Sequence, residues 1–86
     1  MVIDDNYFNL QAARGLLSQF DLKCDIAVSG QKGINLFKQR LELQKVDPQT
    51  QPLQLIFLDY EMPIMDGQAV ARELCKIFAE EEAKRD

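Results

Sequence analysis

Histidine is absent from these 86 residues. That absence excludes a Cys/His zinc site, a histidine-based catalytic triad and a phosphohistidine within the chain. Cysteine is scarce. Cys24 and Cys75 stand far apart and outside any Cys-x-x-Cys. Such a pair reads as two reduced, buried thiols in a reducing compartment. Positive charge is in the minority, with 10 Lys+Arg against 14 Asp+Glu and a net charge of −4. The chain therefore lacks the basic footprint of a nucleic-acid binder. No apolar run approaches the roughly 20 residues of a membrane span. The N-terminus turns acidic at Asp4, unlike a signal peptide. These absences predict a cytoplasmic or otherwise intracellular protein, with neither nucleic acid nor membrane as a partner.

What is present suits a small core. Hydrophobic residues make up 47% of the chain. The length allows one domain at most, and a domain of this size is marginal alone. The terminal AEEEAKRD reads as a solvated helix end.

Along the chain, strands are expected near 1–4, 24–28 and 53–58. Helices are expected near 6–20, 30–44 and 66–83, with a polar loop over 45–52. Leu10, Ala13, Leu16, Leu17 and Phe20 mark one face of the first helix, with Asn6 or Asp5 as its cap. Ser29 can cap the second, which carries Ile34, Phe37 and Leu41 on one side. QKVDPQTQP is a loop by composition. LQLIFL is interrupted only by Gln54, which predicts a strand buried on both faces. Asp66 can cap a last helix bearing Val70, Leu74, Ile77 and Phe78. The alternation of strand and helix predicts an α/β fold with a parallel sheet and right-handed crossovers, as a single domain over 1–86.

In such sheets the chemistry lies beyond the carboxyl ends of the strands. Asp4 and Asp5 end the first strand and Asp59 ends the third. Each alone can be a turn former or a helix cap. If those two strands are neighbours, three carboxylates meet on one rim, and at least one pKa rises. A hard divalent cation such as Mg²⁺ relieves the repulsion. Asp5 and Asp59 can bind it directly, Asp4 through a water, and Glu61 through its backbone carbonyl. A carboxylate beside Mg²⁺ can also attack phosphorus and become an aspartyl phosphate. Asp59 suits that role best, because Met62-Pro63 draws the chain away from the strand tip.

VIDDN at Val2–Asn6, followed by LDYEMPIMDG at Leu58–Gly67, resembles the receiver (REC) domain of two-component response regulators. The second motif, D-x-x-M-P-x-M-D-G, is highly specific. The resemblance implies a flavodoxin-like (CheY-like) doubly wound parallel sheet, of which β1-α1-β2-α2-β3-α3 is present. It implies a phosphorelay module in which Asp59 is the phosphoacceptor and Asp5 a direct Mg²⁺ ligand. Asp4 would hold the metal through water, and the Glu61 carbonyl would complete the protein ligands. The implied donor is a phosphohistidine on a histidine kinase or a histidine phosphotransfer protein. Receivers within hybrid histidine kinases are similar in flavour. A self-phosphorylating receiver of this kind is not a free-standing enzyme.

Two departures accompany the resemblance. The interval from Asp5 to Asp59 is 59 − 5 = 54 residues, longer than is usual in the family, and the polar loop accounts for the excess. The family's fourth and fifth strands, with a switch Ser/Thr and a Lys, have no counterpart, so a fragment truncated after the third helix is expected. Two other readings compete. A degenerate receiver would bind partners without phosphoryl transfer. A haloacid-dehalogenase-like phosphatase would use the Asp59, Glu61 spacing, but Pro63 and the upstream Asp pair do not suit it. DDNYFN lacks the alternating acids of an EF-hand loop.

Overall fold

The computed structural model describes residues 1–53 and 55–84. Its elements run β1 (Val2–Ile3), α1 (Tyr7–Ser18), β2 (Ile26–Ala27), α2 (Gly30–Val46), β3 (Phe57–Leu58) and α3 (Gly67–Ala83). The sheet order is β2-β1-β3, with β1 parallel to both neighbours. This is the α/β arrangement expected, and it puts the first and third strands side by side. Val2 pairs with Phe57 and Ile3 with Leu58, so both strands end at the same level.

Each strand is two residues long, shorter than the apolar runs that predict it. Extended pairing does continue past those bounds. Met1 donates its terminal ammonium to the Leu55 carbonyl, and the Asp4 and Asp59 amides donate to Ala27 and Ile3. Gln54, inside the expected third strand, lies outside the described residues.

Polar side chains start all three helices. Asn6 accepts from the amides of Phe8 and Asn9, Ser29 from Lys32, and Asp66 from Ala69. Each satisfies amides that a helix leaves without an internal partner. Helix α2 runs on to Val46, two residues into the expected loop.

Neighbouring strand residues point to opposite faces. Ile3 joins Ala27, Ile34, Phe37, Val70, Leu74 and Ile77 in the main core under α2 and α3, with Ile56 and Leu58 packed against it. Gly33 lets α2 come down on Ile3, since a Cβ there would lie 2.4 Å from Ile3 Cδ1. Val2 and Leu10 are buried outside that cluster, on the side covered by α1, which packs on β1 and β2.

The expectation that β3 is buried on both faces does not hold. Leu55 and Phe57 are 61% and 53% exposed. Alternation turns them away from the side of α2 and α3, where Ile56 and Leu58 pack, while the main contacts of α1 with the sheet are to β1 and β2. The α1 stripe is thinner than expected for the same reason. Leu10 is fully buried, whereas Leu16 and Phe20 are exposed. Phe78 is likewise exposed on α3. Nor are the thiols buried: Cys75 is exposed on α3 and Cys24 is half-buried before β2.

Arg40 fastens the long loop to the sheet. Its guanidinium pairs with Asp25 and donates to the Gln51 carbonyl at 3.0 Å. The added length is thereby held at the end of the sheet opposite the acidic rim. No helix among the described residues is long and apolar enough to cross a membrane.

Candidate functional site: an acidic rim at the carboxyl ends of β1 and β3

Backbone pairing brings the acids together. The Asp4 amide bonds to β2 at 3.1 Å, and the Asp59 amide bonds to the Ile3 carbonyl at 2.9 Å. Asp5 follows as the chain turns into α1. One carboxylate oxygen from each of Asp4, Asp5 and Asp59 lies within 4.8 Å of the others. Asp4 and Asp59 are half-buried and Asp5 is exposed.

The three acids are not equivalent. Asp4 is held at both oxygens. Oδ1 accepts from the Asn6 amide at 2.9 Å, and Oδ2 accepts from Asn9 Nδ2 at 3.1 Å. Asp59 carries the electrostatic strain. Burial pushes its carboxyl above the ordinary range, and the negative charges of Asp4 and Asp5 push it further. The Glu61 amide, donating to Asp59, pulls the other way. Glu61 itself is exposed, and its carboxylate is not part of the cluster.

The loop after Asp59 is anchored at both of its ends. Met62 is buried in the core and anchors the loop. Pro63 and Ile64 project outward, and the chain returns at Gly67, whose amide donates to the Tyr60 carbonyl at 2.9 Å. A Cβ at Gly67 would stand 2.3 Å from the Asp59 carbonyl oxygen and 2.9 Å from Tyr60 Cα. Only glycine lets α3 start this close to the acid. Asp66 caps α3 and stays out of the cluster.

The cluster fits a hard divalent cation. All three side-chain donors are oxygens, and a cation between them would offset the repulsion that raises Asp59. Sequence reasoning missed Asn9, which fixes Asp4 across the first turn of α1, although its position five residues on is compatible with such a contact. It also missed Gly67 as a close-approach glycine. The DG pair signals a helix start but says nothing of what lies above it.

No family model matches the chain. It is 34% identical over 85 residues to Histidine kinase CKI1 of Arabidopsis thaliana, a match covering 90% of this chain and 7% of that protein. It is 32% identical over 74 residues to Probable histidine kinase 3 of Oryza sativa subsp. japonica, covering 86% of this chain and 6% of that one. The chain thus spans a small fraction of these relatives' length. Among solved structures, the receiver domain of CKI1 complexed with Mg²⁺ superposes with a TM-score of 0.80 at 27% identity. That match covers 99% of this chain and 59% of the other. A point mutant of the same domain gives a TM-score of 0.80 at 26% identity.

Proposed function

We propose, for a chain that belongs to the receiver domains of two-component signalling, that Asp59 accepts a phosphoryl group from a phosphohistidine. The observation that carries this is the convergence of the Asp4, Asp5 and Asp59 oxygens at the open tip of β3. An Asp59 carboxylate oxygen attacks the phosphorus. A P–O bond forms and the P–N bond to the donor imidazole breaks. The electron pair returns to the imidazole nitrogen, which takes up a proton. The product is an aspartyl phosphate.

Asp5 and Asp59 would hold Mg²⁺ directly, with the Glu61 carbonyl as a further ligand. Asp4, already fixed by Asn6 and Asn9, would act through a water. When bound, the ion neutralises charge on the phosphoryl oxygens, in a transfer governed by positioning and electrostatics. The protein's own part is that positioning. The ladder to Ile3 holds the Asp59 backbone, and buried Met62 with the close approach of Gly67 holds the loop that follows it. In this reading residues 1–86 act as one intracellular relay module, not as a free-standing enzyme. Its partner is a histidine kinase or a histidine phosphotransfer protein.

The test is to incubate the chain with acetyl phosphate, with and without Mg²⁺, and to measure its intact mass. A phosphoryl adduct is expected with Mg²⁺ and is absent without it and in Asp59→Asn. A folded chain that takes up no phosphoryl group overturns the reading.

A further inference from the structure

Asp4 is clamped at three points. Its amide donates to the Ala27 carbonyl at 3.1 Å, so its backbone belongs to the sheet. Its two carboxylate oxygens have separate donors. Oδ1 accepts from the Asn6 amide at 2.9 Å, and Oδ2 accepts from Asn9 Nδ2 at 3.1 Å. Asn6 also sets the second donor in place, because its side-chain oxygen accepts from the Asn9 amide at 3.2 Å. Two donors on opposite oxygens fix the plane of a carboxylate, since rotation spoils the alignment of one or the other. Residues 2–9 contain no lysine or arginine that could replace the Asn9 donor.

This arrangement limits how Asp4 can meet a cation. A carboxylate oxygen has about two acceptor positions, and a donor occupies one of them. Asp4 can still accept a hydrogen bond from a metal-bound water. It cannot turn both oxygens onto a cation without giving up Asn6 or Asn9. That leaves Asp5 and Asp59 as the carboxylates of the rim that bind directly. Mg²⁺ suits such a set. It is small, demands octahedral geometry, gives up water reluctantly and is usually held by one or two carboxylates. Ca²⁺ is larger, takes about six to eight oxygens in a flexible arrangement and accepts carboxylates through both oxygens at once.

Resting on the reading of this rim as a Mg²⁺ site, we infer that Asn9 is its selectivity residue, which keeps Asp4 at one water's remove and so favours Mg²⁺ over Ca²⁺. Asn9 is a positioning residue and acts through Asp4. Without it, Oδ2 is released and Asp4 pivots about its remaining bond to Asn6. The water-mediated contact that serves Mg²⁺ loses its orientation. A third carboxylate comes within reach of the larger ion. The two ions therefore respond differently to the same substitution.

The variants are Asn9→Leu, which keeps the size and removes the donor, and Asn9→Gln, which keeps an amide donor on a side chain one carbon longer. Asn9 is exposed on the first turn of α1, so neither variant removes core packing. Calorimetric titration of the unphosphorylated chain with MgCl₂ and, separately, with CaCl₂ reads both dissociation constants. Asn9→Leu is expected to weaken Mg²⁺ binding by roughly tenfold, while Ca²⁺ binding holds or strengthens. The ratio of Kd for Ca²⁺ to Kd for Mg²⁺ should thus fall by roughly tenfold or more. Asn9→Gln should recover most of that ratio, and the metal-free melting temperature should change little in either variant. An unchanged ratio in Asn9→Leu would overturn the inference, whether both affinities fall together or neither moves. So would an Asn9→Gln ratio no higher than that of Asn9→Leu, or a wild type that binds no Mg²⁺. Phosphorylation by acetyl phosphate is read separately. The predicted ratios with no adduct on the wild type would uphold the selectivity and sink the phosphoacceptor reading.

Discussion

Replacing Gly67 by alanine separates two effects that usually point the same way. In a helix, Gly→Ala is ordinarily favourable by about 0.5–1 kcal/mol, because alanine loses less backbone entropy on folding. At Gly67 the added Cβ would meet the Asp59 carbonyl oxygen at 2.3 Å and Tyr60 Cα at 2.9 Å. Both are backbone atoms, so the loop must move. Overpacking of this kind costs about 1–3 kcal/mol. Loss of the Gly67-to-Tyr60 hydrogen bond adds about 1 kcal/mol. The net expectation for Gly67→Ala is a loss of about 1–3 kcal/mol. Gly15, inside α1, has nothing within 4 Å of its would-be Cβ, so Gly15→Ala should gain about 0.5–1 kcal/mol. For a domain of this size each kcal/mol moves the melting temperature by about 4–8 °C. Urea and thermal unfolding of the two variants, side by side, should therefore shift in opposite directions. Gly67→Ala should also lose phosphorylation beyond what its fraction folded explains, since the displaced backbone carries Asp59. A Gly67→Ala variant as stable as Gly15→Ala would refute the reasoning that this glycine sets the loop against the acid.

Other outcomes follow from the same geometry. The Asp59 carboxyl has a folded-state pKa above its unfolded one, so its contribution to stability is full below the ordinary carboxylate range. That contribution is lost as pH rises through the raised value, and Mg²⁺-free melting temperatures should fall across this window, with a shallower fall in Asp59→Asn. Mg²⁺ should stabilise the wild type above that window, by about 2.7 kcal/mol at a hundredfold excess over Kd, and Asp59→Asn much less. Asn9→Leu, which frees Asp4 Oδ2, should weaken Mg²⁺ affinity by roughly tenfold, the lower end of the scale typical of outer-shell partners, while the melting temperature changes little. Arg40→Ala should cost about 1 kcal/mol in urea unfolding through its partly exposed pair with Asp25 and its bond to Gln51. It should leave phosphorylation of the folded fraction untouched, because that clamp lies at the far end of the sheet.

The order of elements and the acidic rim were legible because they rest on local chemistry. Apolar positions three and four apart mark α2 and α3, and Ser29 and Asp66 announce their starts. Asp4, Asp5 and Asp59 terminate apolar runs, and a parallel sheet with β1 beside β3 brings such ends together. Features set by three-dimensional neighbours were hidden. The apolar run at 53–58 looks doubly buried, yet Leu55 and Phe57 are exposed on the face turned away from α2 and α3, and the main contacts of α1 are with β1 and β2. Cys75 looks like a core thiol by residue type, but it falls on an exposed face of α3. Ile64 was invisible for the opposite reason. A β-branched residue argues against positive φ, so only the structure reveals the φ of 70° that Ile64 adopts.

The central claim is that Asp59, among the 14 acidic residues, receives the phosphoryl group. Borohydride reduces an acyl phosphate on aspartate to homoserine and leaves free carboxylates alone. Peptide mass spectrometry after phosphorylation with Mg²⁺ and reduction therefore reads the site directly. The account predicts homoserine at position 59 and nowhere else, in an amount that tracks the intact-mass adduct. Homoserine at Asp4, Asp5 or any other acid, with aspartate retained at 59, would contradict it.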